Sequence, residues 1–203
     1  MKYGILAALA ITAFLTPAQA ADVSSLEPEE IRDFDSNPEP VRKLLVAALD
    51  LTKRDLGYQY SSADPSQGGM DCSGTIYYLL TEQGVADVPR SSDQQYAWSM
   101  EKKTFHPVKS PSITATEFAE LRPGDLLFWT GTYAVQRKVP VTHVMIYLGE
   151  AAHDGRRLMV GASDGRTYRG EKKYGVSVFD FRMPAAEGPS RFIGYARVPG
   201  LGE

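Results

Sequence analysis

The sequence predicts an α+β fold, with N-terminal helices packed on a mainly antiparallel sheet. Three observations predict it. Apolar residues recur at helical spacing in the stretch from about residue 38 to Gly84. From residue 121 the pattern changes to short runs rich in Val, Ile, Phe and Tyr, separated by turn residues. The chain has 203 residues, 43% hydrophobic and 23% charged, which suits one core of ordinary size.

Each element follows in order. Lys2, the apolar run Gly4 to Leu15 and the small residues around Ala18-Gln19-Ala20 read as a secretory signal over residues 1–20, cut after Ala20. That apolar run is too short to cross a bilayer comfortably, so no stable membrane anchor is expected after cleavage, a retained N-terminal anchor being the alternative. The protein is then periplasmic or secreted. Residues 21–37 carry Asp22, Glu27, Glu29, Glu30, Asp33 and Asp35 and form an acidic lead-in, either flexible or packed on an edge. Residues 38–203 form the single domain. Its first helix starts near Pro38 to Val41, buries Val41, Leu44, Leu45, Ala48 and Leu51, and ends by Gly57. A loop from Tyr58 to Met70 follows. Asp71-Cys72-Ser73-Gly74 opens a second helix with Ile76, Leu79 and Leu80 on its apolar face, stopped by Gly84. Strands are expected at Asp125–Trp129, His143–Gly149, Arg157–Ser163, Gly175–Phe181 and Arg191–Val198, with a hairpin turn over Glu150–Arg156.

Composition also excludes functions. A net charge of −3 gives no electrostatic reason for nucleic-acid binding. No metal-ligand spacing and no phosphate-binding glycine loop is present, so neither metal nor cofactor is expected. The one cysteine, Cys72, forbids an intramolecular disulfide. It is either a small buried hydrophobe or a thiol kept for its chemistry. It stands at a helix start, where unpaired N–H groups favour the thiolate, and Asp71 can cap that helix. A nucleophilic cysteine needs a base. Of three histidines, His106 lies in a polar, exposed-looking segment and His153 in the hairpin turn. His143 opens the apolar run Val144 to Leu148, so a strand fixes it, as a structural residue or as the base.

Four segments in order resemble the NlpC family of peptidoglycan cysteine peptidases. They are Asp71-Cys72-Ser73-Gly74, Pro89 to Gln94, Leu121 to Phe128 and His143 to Gly149. The resemblance implies a papain-like fold and hydrolysis of peptidoglycan stem peptides, usually between D-glutamate and the diamino acid. It implies Cys72 as nucleophile and His143 as base. Tyr58 then lines the site and helps hold the oxyanion, Asp71 receives a stem-peptide amine, and Arg90 and Ser91 line the substrate cleft. Two departures stand out. Ser61 and Ser62 replace two glycines usual after the tyrosine segment. The family's third catalytic side chain aligns with Gly161, which has none. Ser163, two residues on and on the same strand face, is the substitute expected to orient His143; Asp164, a main-chain carbonyl or a water are the others. The missing side chain also motivates a catalytically degenerate cell-wall binding module. An amidase or acyltransferase on the same fold is a further alternative.

Overall fold

Three helices lie on one face of a six-stranded antiparallel sheet in a computed structural model that describes residues 21–201. The expected signal, residues 1–20, falls outside the described residues. Among those described, no helix is long and apolar enough to cross a membrane.

Helix α1 (Glu39–Thr52) begins at Pro38 and buries Leu44, Leu45, Ala48, Leu49 and Leu51. It ends earlier than Gly57. Lys53 closes the last turn and Asp55 takes a left-handed φ of 51°, so the reversal is made by an aspartate that tolerates it. Gly57 instead belongs to β1 (Gly57–Tyr58), paired in parallel with β2 (Gly69–Met70). Helix α2 (Cys72–Glu82) runs as expected, and Gly84 ends it with φ of 77°. Helix α3 (Ser92–Glu101) has no counterpart in the sequence reading. Its pattern is weakly amphipathic. Tertiary contacts hold it instead: Trp98 is buried, and Tyr96 meets Phe105 and Phe128 edge to face.

The strands are β3 (Phe105–Pro107), β4 (Leu126–Thr130), β5 (Val141–Glu150), β6 (Arg157–Tyr168), β7 (Glu171–Asp180) and β8 (Arg191–Ala196), in the order β3-β8-β4-β5-β6-β7. Alternation along β5 divides two cores. Val144, Ile146 and Leu148 pack toward the helices. Met145 and Tyr147 enter a second cluster with Trp129, Met159, Phe179 and Tyr195. His106 corrects the expectation of an exposed histidine: it lies in β3 and stacks on Tyr195, ring centroids 5.0 Å apart. His153 is exposed in the β5–β6 turn.

The β6–β7 hairpin is longer than its apolar residues indicate. It runs to a tight turn at Arg169 and Gly170, both with positive φ, and β6 is bulged between Ser163 and Arg166. The outer edge of β7 is covered. Asp22 bridges Tyr174, Val178 donates to the Ser24 carbonyl, and Val176 donates to the Leu56 carbonyl.

Candidate active site

Cys72 is the first residue of α2 and is 6% exposed. Asp71 makes that start. Its carboxylate accepts the Gly74 N–H at 2.6 Å and the Ser73 hydroxyl at 3.1 Å. Arg90 then grips both carboxylate oxygens, at 3.1 and 2.7 Å. Gly74 is required by space: a Cβ there would stand 2.0 Å from the Ser62 carbonyl oxygen. The close approach holds the 58–70 loop, and with it Tyr58, against the start of the helix.

The thiol is not the thiolate expected from a helix start. Burial pushes it up to about 11, and the Asp71 charge adds to the rise. The Val144 and Ser73 backbone N–H groups face the sulfur, and with the Arg166 charge they oppose the rise without overcoming it. Tyr58 is likewise held protonated by burial, next to Cys72 and Asp164, so its phenol is a donor.

His143 lies on β5 beside Val144, 7% exposed. Its ring packs against Trp129, centroids 5.7 Å apart. Arg166 on β6 donates its Nε–H to His143 Nε2 at 3.2 Å, and its guanidinium sits over the Trp129 ring, 4.2 Å from the centroid. A guanidinium can only donate. The nitrogen facing it must therefore be an acceptor, which leaves the imidazole proton on Nδ1. Burial first, and the Arg166 charge second, hold His143 well below the usual 6.5. Among the described residues no hydrogen bond joins Cys72 to His143.

Ser163 is buried and lines the same cavity as His143. The β5–β6 register pairs Ile146 with Val160 and, carried three residues further, sets His143 opposite Ser163. Its hydroxyl makes no side-chain hydrogen bond among the described residues; the contact to the imidazole comes from Arg166. Asp164 lies exposed at the cavity rim. Gly161 pairs with Ser177, and a Cβ there would meet the Met145 side chain at 3.2 Å, so no polar group fits that position without moving Met145. Ser91 caps the start of α3 by position, with no side-chain cap bond, and does not line the cavity. Arg90 turns to Asp71 and Ser73 rather than into the cavity.

The cavity has a volume of about 620 Å³, with Tyr58, Thr142, His143, Ser163 and Arg166 on its walls. Arg166 is the polar group the sequence reading missed. It sits in Asp164-Gly165-Arg166-Thr167, which has the composition of a loop. The signal that finds it is the strand period past the bulge, continued to a second hairpin turn at Arg169-Gly170.

Comparison with known proteins covers the same region. The family model described as NlpC/P60 family matches residues 56–169. The gamma-DL-glutamyl hydrolase of Bacillus subtilis (strain 168) is 27% identical over 139 residues, 65% of this chain and 28% of that protein. Murein DD-endopeptidase MepH of Escherichia coli (strain K12) is 26% identical over 117 residues, 57% of this chain and 37% of its own length. This chain thus spans well under half the length of both relatives. Among solved structures, an NLP/P60-family protein of Staphylococcus aureus subsp. aureus Mu50, described as similar to a lipoprotein, shares the fold with a TM-score of 0.51. It is 23% identical, over 86% of this chain and 45% of that one.

Proposed function

This chain belongs to the NlpC/P60 family, and on that premise we propose that it is an exported cell-wall cysteine peptidase. Its substrate is the peptidoglycan stem peptide, cut at the D-glutamyl–diamino acid bond. Cys72 is the nucleophile and His143 the base. One observation carries the reading: the only cysteine of the chain stands at a capped helix start with its sulfur against the backbone of Val144, the neighbour of the single strand histidine that opens onto the cavity.

The chemistry is acyl transfer. The Cys72 proton passes to His143, and the thiolate attacks the peptide carbonyl. Unpaired N–H groups at the start of α2, with the Tyr58 phenol, are the donors available to the oxyanion. Imidazolium returns its proton to the leaving amine, and water then hydrolyses the thioester with His143 as base. Asp71 and Arg90 act here by fixing the start of α2. Residues 1–20 serve export to the periplasm or medium.

The test is incubation of the mature protein with muropeptides, with products identified by mass spectrometry. New amino termini at the diamino acid, lost in Cys72→Ala and His143→Ala, are expected. Intact muropeptides, or cleavage that survives Cys72→Ala, would refute the reading.

One observation favours a second reading, a catalytically silent wall-binding module. The only side-chain hydrogen bond to His143 among the described residues comes from a cation that cannot accept its proton. That reading expects muropeptide binding without turnover, and Cys72 alkylation unchanged by His143→Ala.

A further inference from the structure

The group that faces His143 is the wrong sign for a Cys–His pair. A base that becomes imidazolium is helped by an acceptor or an anion beside it. Arg166 offers a donor and a positive charge, so as arranged it opposes proton transfer from Cys72.

The same guanidinium has no ion-paired partner, although the charge of Asp164 reaches it from the rim. Among the described residues no Asp or Glu forms an ion pair with it. Asp164 lies exposed two residues away and makes no ion pair. Asp180, also on the cavity wall, is taken by Arg156 at 2.9 Å and Arg182 at 3.0 Å. Arg166 spends its Nε–H on His143 and one face on Trp129. Its two terminal nitrogens make no hydrogen bond among the described residues, on a side chain that is half-buried and lines the cavity. Stacking on Trp129 holds the planar fork in place, which lowers the entropy cost of using it. Lys172, exposed on the same wall, also lacks an acidic partner among the described residues and adds attraction for an anion.

We infer that Arg166 is a carboxylate subsite of this cavity, and that a ligand carboxylate seated on it switches His143 into a base. The inference rests on the peptidase reading for the identity of the ligand, a peptide bearing free carboxylates, and not for the subsite itself. A carboxylate–guanidinium pair is charge-assisted and bidentate, stronger than the single bond to a neutral imidazole. Bound end-on to the terminal nitrogens, it cancels the charge beside His143. Bound side-on through Nε and one terminal nitrogen, it displaces Nε2 as well. In both modes the imidazole gains proton affinity. In the side-on mode, with Nε2 released from the guanidinium, the imidazole has an acceptor nitrogen and can take the Cys72 proton, giving thiolate and imidazolium. Chemistry is thereby withheld until a carboxylated substrate is in place. The same wall also carries Tyr58, Asp164, Lys172, Tyr174, Asp180 and Arg182, and of the charged groups it is Arg166 that acts on the His143 ring.

The test uses the full mature chain carrying Cys72→Ala. The probe is L-Ala-γ-D-Glu-diaminopimelate, together with analogues in which each carboxylate in turn is a carboxamide. Calorimetry is expected to show one carboxamide binding about ten- to hundredfold more weakly than the free acid, the worth of a charged hydrogen-bonded pair. That penalty should vanish in Arg166→Gln. Arg166→Lys, which keeps the charge but not the fork, should retain part of it; both variants are checked for native circular dichroism. Nitrogen-15 NMR of His143 should show its protonation midpoint rising when the free acid binds, and not when the discriminating carboxamide does. Equal binding of all the analogues, a penalty of the same size in Arg166→Gln, or no measurable binding of the free acid would overturn the subsite. Cleavage of peptidoglycan by the wild-type protein with an Arg166-independent penalty removes the subsite and leaves the peptidase reading. An Arg166-dependent penalty in a protein that cleaves nothing removes the peptidase reading and leaves the subsite.

Discussion

At Cys72 two local effects compete, and burial wins. The unpaired N–H groups at a helix start favour the thiolate, yet burial and the adjacent Asp71 charge hold the thiol up to about 11. Iodoacetamide should therefore alkylate Cys72 slowly at pH 7, with a rate climbing about tenfold per pH unit toward that value. Asp71→Asn removes the second cause of the rise and should shift the profile to lower pH. His143 gives the opposite dependence for stability. Its folded midpoint lies well below 6.5, so the unfolded chain takes the proton first. The stability it contributes is whole above about pH 6.5 and falls as pH drops through the folded midpoint. Urea midpoints should decline with acid in that window, less steeply in His143→Gln. Arg166→Gln should raise the His143 midpoint in the ligand-free protein, as the second cause of its depression is removed.

Helix α2 and strand β5 were legible because each announces itself locally. Asp71 caps, Gly84 stops, and the alternation from Val144 to Leu148 is unbroken. Asp71→Ala should cost about 1–3 kcal/mol in urea denaturation, through loss of the cap and an Arg90 left without its partner. Asp71→Asn keeps an acceptor and should cost less. Gly74→Ala should be worse than either, because its Cβ meets backbone, the Ser62 carbonyl, rather than a side chain that can turn away. The unread elements share a cause. Helix α3 is held by Trp98 and the Tyr96–Phe105–Phe128 contacts, which lie far apart in sequence. The distal half of β6 is only partly buried and polar, so its residues carry no alternating apolar pattern to betray a strand. The candidate site was lost to view in proportion. Its thiol and imidazole sit on legible elements, and its arginine sits on the illegible one. Ser61 belongs to the same lesson: it takes a φ of 65° where the family usually has glycine, a conformation its identity does not advertise.

For the molecule as a whole, the sheet is closed at both sides against strand addition. Strand β3 is three residues long and ends in Pro107, which has no N–H to offer. Strand β7 is covered by Asp22, Ser24 and Leu56, with Leu26 buried behind them. Deleting residues 21–26 should expose that edge and the site of Leu26. The expected result is a loss of about 2–4 kcal/mol and concentration-dependent oligomers in size-exclusion chromatography. The arm also imposes an order of events. Ser24 meets Ser177 across 153 residues of chain, so the leading segment has nowhere to settle until almost the last strands exist. During synthesis it stays undocked until β7 has emerged. Once docked, it acts as a fastening that only the finished chain can close.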